Sequence, residues 1–348
     1  RLADADTRAR GHRLAGIAAA RQRFYGGDIA AAIGGFSERV GGLLRASDLA
    51  GYRARYEPPL RTTFAGRDIL GQSAWTQGPV LMQALGMLEN FDLRALGHNS
   101  PRYIHVVSEA LKLAFADRER YYGDHEEAFA AIVDLLAPAY LKERDALIRM
   151  DRAAPEAPAP GNLRRRGAEP RAVAPVSSRV AGAGSAAAAD GTTHIAAIDR
   201  DGNMICLTPS GGVFRKSAFA PELGCTLSTR SEMFVLEDGH PNALVPGKRP
   251  RTTLVNYLIC ENGVPTTTVG CPGGDDQAQA DLQLVLNVLV FGMNPQQAVE
   301  APRFSTQTLV NSFWPRAYKP GQLNVEPRIA ESTRAELRAL GHGVTETG

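Results

Sequence analysis

The feature that most constrains this chain is residues 151–190, which separate a helix-patterned half from a strand-patterned half. They are rich in Ala, Pro, Gly and Arg and carry almost no large apolar side chains. Such a segment buries too little surface to offset its ordering entropy, so we predict that it is disordered or loosely held. A linker of this length inside a compact domain is unusual unless it has a function. We therefore expect a helix-rich part over 1–150, a flexible linker over 151–191 and a part over 192–348 that carries the core strands and is strand-rich over 192–275.

The apolar spacing changes on crossing this linker. Before it, spacings of three and four predict helices, with short strands at Leu60–Phe64 and Asp68–Gly71. After it, Val255–Cys260 and Val264–Val269 flank an Asn-Gly turn and predict a hairpin. The predicted helices cover 1–22, 28–39, 77–90, 101–121 and 138–149, then a segment from just after Asp275 to about Phe291, and 329–340.

Composition excludes several classes of function. The chain has 348 residues, 39 basic and 37 acidic, and a net charge of +2, so nothing in its charge favours nucleic-acid or membrane binding. No apolar run approaches the length of a membrane span. The four cysteines and seven histidines show no paired ligand spacing, so we expect free buried thiols and no structural metal site. The cysteines are Cys206, Cys225, Cys260 and Cys271.

The end of the linker, Gly191-Thr192, offers a different kind of chemistry. It is followed closely by Ile195–Ile198, which predicts a buried strand. If the chain cut itself at this junction, Thr192 would become an N-terminus that carries both a hydroxyl nucleophile and an amine. That amine has an ordinary pKa of about 7.7–8.0 and can act as a general base near neutral pH. On the local pattern alone, the ordinary alternative is favoured, in which the two threonines are simply strand residues.

Two further segments carry groups that suit such a nucleophile. Gly273-Gly274 lies between a predicted strand and a predicted helix, where exposed backbone N–H groups can stabilise an oxyanion. The alternative there is a tight turn. Thr252 and Thr253 follow a basic cluster and offer two hydroxyls that could orient a substrate group or the terminal amine, although they could equally be strand residues.

A set of motifs, taken in order along nearly the whole chain, resembles the γ-glutamyltranspeptidase family of N-terminal-nucleophile hydrolases. The ordered set is far more specific than any one of its members. The matching segments are Phe24–Ala30, Gly41-Gly42, Asp48–Tyr52, Leu85–Glu89, Glu109 with Ala114–Arg118, Thr192–His194, Asp201–Asn203, Pro246–Pro250, Gly270–Gly274 and Ala301–Arg303.

The resemblance implies an α+β fold, namely the αββα sandwich with two stacked antiparallel sheets between helix layers. It implies that a precursor cuts itself before Thr192 and that the two fragments stay associated. Thr192 then attacks a γ-glutamyl amide, and water or an amine takes the acyl group from the acyl-enzyme, with no cofactor or metal. The implied site residues are Gly191 at the cleavage site, Thr193 just inside the new terminus, Ser210 as support for the nucleophile, Thr252 and Thr253 on the substrate carboxylate, and Gly273 and Gly274 in the oxyanion hole.

This chain also departs from the family pattern. Arg230 and Met233 stand where the family usually has Gln and Asp to receive the substrate amino group, and Gly212 replaces a usual Asn. Residues 235–245 are too short for the family's lid loop. A cation at position 230 favours an acyl donor without a free α-amino group. The open alternatives are therefore a γ-glutamyl hydrolase or transferase, a cephalosporin-acylase-like amide hydrolase, and a catalytically silent scaffold.

The ends of the chain carry an expectation of their own. The sequence opens with Arg1, and the family's substrate-gripping arginine and its closing segment have no counterpart in it. We therefore expect a fragment of a longer protein.

Overall fold

A computed structural model describes residues 2–9, 13–163, 191–212 and 216–347. The chain forms two compact units. The smaller comprises Arg1–Pro58 with Gly211–Thr229, and the larger comprises Pro59–Ser210 with Arg230–Gly348. All the predicted site residues except Gly212 belong to the larger unit.

The elements follow one another as helices and then mainly strands. The helices are α1 (Leu2–Arg8), α2 (Arg13–Tyr25), α3 (Asp28–Arg39), α4 (Ala46–Gly51), α5 (Gly78–Leu88), α6 (Leu93–Leu96), α7 (Pro101–Tyr121), α8 (Glu126–Leu135), α9 (Pro138–Asp145), α10 (Gln277–Leu289), α11 (Pro295–Glu300) and α12 (Glu331–Ala339). The strands are β1 (Leu60–Phe64), β2 (Arg67–Gly71), β3 (Ile195–Ile198), β4 (Met204–Leu207), β5 (Phe219–Ala220), β6 (Cys225–Thr226), β7 (Tyr257–Glu261), β8 (Val264–Val269), β9 (Phe304–Thr306), β10 (Gln322–Val325) and β11 (Gly343–Glu346).

The smaller unit consists of α1 to α4 and a short hairpin. The helices α2 and α3 pack together, and α3 buries one face that includes Ile29, Ile33 and Phe36. The hairpin pairs β5 with β6 in antiparallel fashion. In this part of the chain the sequence predicts one helix over 1–22, whereas the structure has two, α1 and α2.

The larger unit combines helices with mainly antiparallel sheets. Its main sheet has the order β1-β2-β7-β8, and all three pairings in it are antiparallel. A second sheet has the order β11-β10-β9, in which β10 and β11 run parallel. The central helices α5 and α7 pack against each other, and nearly all of α5 is buried. This arrangement confirms the α+β class expected from the sequence.

Local signals explain why α7 and the β7–β8 hairpin form where they do. The Ser100 side chain accepts a hydrogen bond from the Tyr103 N–H at 3.1 Å, and Pro101 occupies the first turn of α7. In the hairpin, Asn262 and Gly263 have φ values of 51° and 79°, the left-handed conformation that an Asn-Gly turn accommodates. The helix over 101–121 and the hairpin are both confirmed, although β7 begins at Tyr257 rather than Val255. The short helices α8 and α11 are not predicted by the apolar spacing.

The first part of the predicted linker is packed against the larger unit. The Ala153 N–H donates to the Leu340 carbonyl at 2.7 Å, and Ala153 is buried. The Gly161 N–H donates to the buried Asp117 carboxylate at 2.8 Å. Residues 151–163 are therefore held by hydrogen bonds rather than loosely attached, and residues 164–190 lie outside the described part of the chain.

The strand that follows the Thr192 junction is exposed, which corrects the prediction of a buried strand. Ile195 and Ile198 in β3 are 50% and 63% exposed. Among the described residues the strand pairs with β4 alone, and Ile205 and Leu207 of β4 are also exposed. An apolar run predicts the strand conformation, but burial requires a second layer, and the described residues place none over these side chains.

The cysteine prediction holds only in part. All four cysteines are free, and Cys260 is buried, but Cys225 is exposed at the start of β6. Within the described ranges, no helix is both long enough and apolar enough to cross a membrane.

A buried cluster joins α7 to the segment after α12. The Nδ1 atom of His105 lies 2.9 Å from the Nε2 atom of His342, and His105 Nε2 lies 2.7 Å from the Arg149 carbonyl oxygen. The sequence predicts no structural metal site, yet potential ligand atoms of His105, Glu109 and His342 come within 4.8 Å of one another. The Lys112 ammonium already donates to Glu109 at 2.6 Å, so a metal ion would meet a like charge there. The arrangement is a hydrogen-bonded cluster that needs no metal to neutralise Glu109.

This cluster should make the stability of the protein depend on pH. Burial, together with Lys112 and His105, lowers the pKa of His342 to about 3. The unfolded chain takes up a proton at this residue near pH 6.5, whereas the folded chain resists it. The free energy of unfolding should therefore fall as the pH drops from about 6.5 toward 3, by at most about 1.4 kcal/mol per pH unit from His342. Urea unfolding at pH 7.5, 6.0 and 5.0 should show a weaker pH dependence in His342→Asn. The matched control is His125→Asn at an exposed histidine, and equal slopes in wild type and His342→Asn would contradict the prediction.

Candidate active site

Thr192 is half-buried and hydrogen-bonded to Ser210. Its hydroxyl donates to Ser210 Oγ at 2.9 Å, and the two residues also form an isolated antiparallel bridge. The Thr193 N–H donates to the Pro209 carbonyl at 3.2 Å, which extends this pairing by one residue. Gly191 has a φ of 100°, a conformation that glycine adopts far more readily than other residues. The structure therefore brings together three neighbours predicted from the sequence: Gly191, Thr192 and Ser210.

Arg230 connects this pair to the predicted substrate-binding threonines. Its Nη2 atom donates to Ser210 Oγ at 2.7 Å, and its Nη1 atom donates to Thr253 Oγ1 at 3.1 Å. The guanidinium lies 5.4 Å from the centre of the Phe313 ring, within range of a cation–π interaction. Desolvation lowers the pKa of Arg230 to about 10, so the side chain remains charged at neutral pH. A permanently charged guanidinium thus contacts the Ser210 hydroxyl, which in turn accepts a hydrogen bond from Thr192.

The two threonines differ in what their hydroxyls can do. Thr253 is fully buried, and its hydroxyl oxygen accepts the Arg230 hydrogen bond. The hydroxyl oxygen of Thr252 accepts from the Leu254 N–H at 3.2 Å in a local turn and, at the longer distance of 3.5 Å, from the same Arg230 Nη1 atom. Thr252 itself pairs with Thr76 in an isolated parallel bridge. Both residues precede β7 rather than lying inside it.

The glycine pair begins a short 3₁₀ helix, Gly274–Asp276, that leads into α10. Gly273 and Gly274 have φ values of 141° and 60°, in the region that side chains disfavour. The side-chain amide of Gln277 is oriented so that its oxygen and its nitrogen both form hydrogen bonds. Its oxygen accepts from the Gly274 N–H at 3.2 Å, and its nitrogen donates to the Thr253 carbonyl at 3.3 Å. No hydrogen-bond acceptor for the Gly273 N–H occurs among the described residues. Of the two predicted oxyanion donors, Gly273 is therefore the one without a competing internal bond.

Two contacts bring the Thr192 segment and the glycine loop into one region. His194, two residues after Thr192, packs so closely on Gly270 that a Cβ atom there would lie 2.6 Å from its Nδ1 atom. A Cβ atom on Gly274 would lie 3.3 Å from Phe313, the ring that Arg230 stacks on. Hydrogen bonds thus join Thr192, Ser210, Arg230 and Thr253, and the contacts of His194 and Phe313 connect the 270–274 loop to the same region.

Sequence reasoning missed that Gln77 and Arg118 hold these loops, although Arg118 ends one of the segments that resemble the family. Gln77 donates to the carbonyls of Thr253 and Gly274 at 3.1 and 3.0 Å and accepts from Arg118 at 3.0 Å. Arg118 is completely buried and pairs with Asp275 and Glu119. Nearby Arg251, Arg118 and Arg316 lower the pKa of Glu119 to about 2, against the opposing effect of desolvation. For Gln77, the only sequence signal was its position immediately before the Gly-Pro start of α5.

Comparison with known proteins supports the resemblance seen in the sequence. The chain is 30% identical to the glutathione hydrolase-like YwrD proenzyme of Bacillus subtilis (strain 168) over 329 residues, which are 94% of this chain and 56% of that protein. A structure of LmbA2991 is 36% identical and matches with a TM-score of 0.86, covering 100% of this chain and 61% of that one. The cephalosporin acylase of Bacillus halodurans is 27% identical and matches with a TM-score of 0.77, covering 98% of this chain and 56% of that one.

The chain spans little more than half the length of the relatives it matches. The sequence profile of one family, Gamma-glutamyltranspeptidase, matches residues 12–348, which is nearly the whole chain. The match extends across Thr192, Arg230 and the Gly273-Gly274 loop. This chain therefore belongs to the γ-glutamyltranspeptidase family and has the N-terminal-nucleophile hydrolase fold that the resemblance implies.

Proposed function

We propose that this chain belongs to an amide hydrolase or acyltransferase that processes itself and uses Thr192 as its nucleophile. The observation that carries the proposal is the hydrogen-bonded series from Thr192 through Ser210 and Arg230 to Thr253, on the scaffold of this family. It supports the proposal because the Thr192 hydroxyl, the Ser210 hydroxyl and the Arg230 guanidinium are joined by hydrogen bonds, as a nucleophile, a supporting hydroxyl and a fixed cation would be.

The first step is self-cleavage between Gly191 and Thr192. The Thr192 hydroxyl oxygen attacks the Gly191 carbonyl carbon, the C–N bond of the peptide breaks, and an ester forms while the Thr192 nitrogen gains a proton. Water then hydrolyses the ester and leaves a Gly191 carboxylate and a free Thr192 α-amine. Gly191 suits this junction because a residue without a side chain adopts a positive φ with little steric cost. We propose that the two fragments stay associated.

The second step is acyl transfer from an external amide. The free α-amine of Thr192 takes the hydroxyl proton as the oxygen attacks the acyl carbon, and the proton passes to the leaving amine. The Gly273 N–H, with Gly274 beside it, stabilises the developing oxyanion, a role worth about 3–4 kcal/mol per donor. Water or a second amine then takes the acyl group from Thr192.

The charge of Arg230 indicates which functional group the acyl chain carries at the end away from the scissile amide. The Arg230 guanidinium donates to the hydroxyls of Ser210, Thr252 and Thr253, and a carboxylate on the acyl chain would add a charge-assisted bond to this cation. An α-ammonium in the same place would be repelled by the guanidinium. We propose a dicarboxylic acyl donor without an α-amino group, of which a glutaryl amide is the simplest. The similarity to a cephalosporin acylase supports an amide donor outside the γ-glutamyl class.

The second candidate is hydrolysis or transfer of γ-glutamyl amides, with glutathione-like compounds as donors. It is favoured by the family itself and by the similarity to a glutathione hydrolase-like proenzyme. A γ-glutamyl group also ends in a carboxylate that Arg230 would bind, but its ammonium needs a separate acceptor. The two candidates therefore differ in a single substituent of the donor.

Self-cleavage should depend on the Thr192 hydroxyl. The full-length wild-type protein should appear as two fragments, the smaller beginning at Thr192, and Thr192→Ala should remain a single chain. Intact mass and N-terminal sequencing of the smaller fragment measure this directly. Thr193→Ala is the matched control and should still be cut, because the Thr193 hydroxyl is not the attacking group. A Thr192→Ala protein that is still cut at this junction would exclude Thr192, and an uncut wild type would favour a silent scaffold.

The donor preference should be set by Arg230. Wild type should turn over glutaryl-p-nitroanilide with a higher kcat/KM than γ-glutamyl-p-nitroanilide. Arg230→Gln should lower the glutaryl value about 10- to 100-fold, because a bond to a charged group contributes about 1.5–3 kcal/mol. The control Arg249→Gln removes a cation that pairs with Asp124 and should leave the ratio of the two donors unchanged. A strong wild-type preference for the γ-glutamyl donor would select the second candidate instead.

A further inference from the structure

Gln77 links the two segments that carry the substrate-binding threonines and the glycine pair. It is buried at the N-terminus of α5, and its side-chain nitrogen donates to the carbonyl oxygens of Thr253 at 3.1 Å and Gly274 at 3.0 Å. Its backbone N–H also donates to the Thr252 carbonyl at 2.9 Å. Both hydrogens of the amide group are therefore used to bridge chain segments about 20 residues apart.

A hydrogen bond from Arg118 fixes the orientation of the Gln77 side-chain amide. Its oxygen accepts a hydrogen bond from Arg118 Nη1 at 3.0 Å, and a guanidinium can only donate. The amide oxygen must therefore face Arg118, and the amide nitrogen must face the two carbonyls. Arg118 is held in turn by Asp275, the residue that follows Gly274. A rotated amide would place its nitrogen against the Arg118 donors.

The glycine pair needs such an external constraint. Residues without a side chain have many backbone conformations of similar energy, and a Gly-Gly loop pays a high entropy cost for adopting one. The Gly274 carbonyl is held by Gln77, and the Gly274 N–H is held by Gln277. These two glutamines fix the peptide planes on both sides of Gly274. The Gly274 carbonyl also accepts the Gln277 backbone N–H, so loss of Gln77 leaves it that local turn bond and removes its tie to the Thr253 segment.

We propose that Gln77 is a positioning residue for acyl transfer, which holds the Thr253 and Gly274 carbonyls so that the glycine loop presents the Gly273 N–H to the oxyanion that forms when Thr192 is acylated. The inference rests on the proposed function of this site. Gln77 touches neither Thr192 nor the reacting atoms, so its effect passes entirely through the loop geometry. A loop displaced by about 1 Å is enough to cost roughly 100-fold in rate.

A second buried glutamine on the same helix provides a matched control. Gln83 in α5 donates to Asp117 at 3.0 Å and accepts from the Tyr122 hydroxyl at 2.6 Å. Like Gln77 it is buried and makes several side-chain hydrogen bonds, but none goes to Thr253 or the glycine loop. Gln77→Leu and Gln83→Leu therefore both remove a buried amide from α5, and only the first releases the loop.

The experiment compares both variants with wild type in the full-length protein. Steady-state kinetics use whichever p-nitroanilide donor the wild type turns over, and hydrogen–deuterium exchange follows the peptide that covers residues 270–276. Gln77→Leu should lower kcat about 10- to 100-fold with KM changed less than about twofold, and should speed exchange in this peptide at least about tenfold. Gln83→Leu should change kcat less than about threefold and leave exchange in 270–276 as in wild type.

Each outcome decides for or against the positioning role. Equal kcat losses in the two variants, or unchanged exchange in 270–276 after Gln77→Leu, would overturn it, because both results describe ordinary destabilisation. If the wild type shows no Thr192-dependent turnover, the proposed function fails separately, and the exchange measurement still decides whether Gln77 holds the loop.

Discussion

The arrangement of the larger unit depends on the ion pairs of one buried cation, Arg118. Near the C-terminal end of α7, it pairs with Asp275 and Glu119 and donates to the Val310 carbonyl at 2.6 Å. Glu119 also pairs with Arg251 and Arg316, so a few charges join α7 to three later segments of the chain. Burying an ion costs several kcal/mol, and only partners with good geometry offset that cost. Loss of one partner leaves a buried charge uncompensated, so these segments are held in place together.

This charge network reaches the candidate active site through short polar links. Asp275 directly follows Gly274, and Gln77 carries the Arg118 contact on to Thr253 and Gly274. The segments before β7 and α10 are irregular and could adopt other conformations on their own. The buried ion pairs restrict the backbone conformations of these segments, which a glycine-rich backbone would not do on its own. The residues that determine the loop geometry thus lie outside the set that would touch a substrate.

The sequence was informative where structure depends on neighbours in the chain. The helix over 101–121 and the Asn-Gly hairpin follow from apolar spacing, a cap and a turn, all of which are local. Thr192 and the glycine pair were candidates from local chemistry, which the family resemblance strengthened, and Ser210 came from the resemblance alone. The roles of Gln77 and Arg118 were missed because Gly274 and Asp275, which they contact, lie 197 and 157 residues away, and no local pattern distinguishes a buried arginine from an exposed one. The exposure of Ile195 and Ile198 was missed for the same reason, since burial depends on what packs over a strand.

The contacts of Ser210 bear on which group acts as the base in the proposed reaction. A hydroxyl oxygen has two acceptor positions, and the Thr192 hydroxyl and the Arg230 guanidinium both donate to Ser210 Oγ. A neighbouring cation disfavours any further gain of positive charge on that oxygen. Ser210 is therefore suited to orient the Thr192 hydroxyl but not to remove its proton. The α-amine released by cleavage at Gly191 has a pKa in the appropriate range and lies on the nucleophilic residue itself. In the proposed reaction, cleavage would thus create the base for acyl transfer, and Arg230, the cation proposed to bind the acyl group, would keep the supporting hydroxyl from competing with that base.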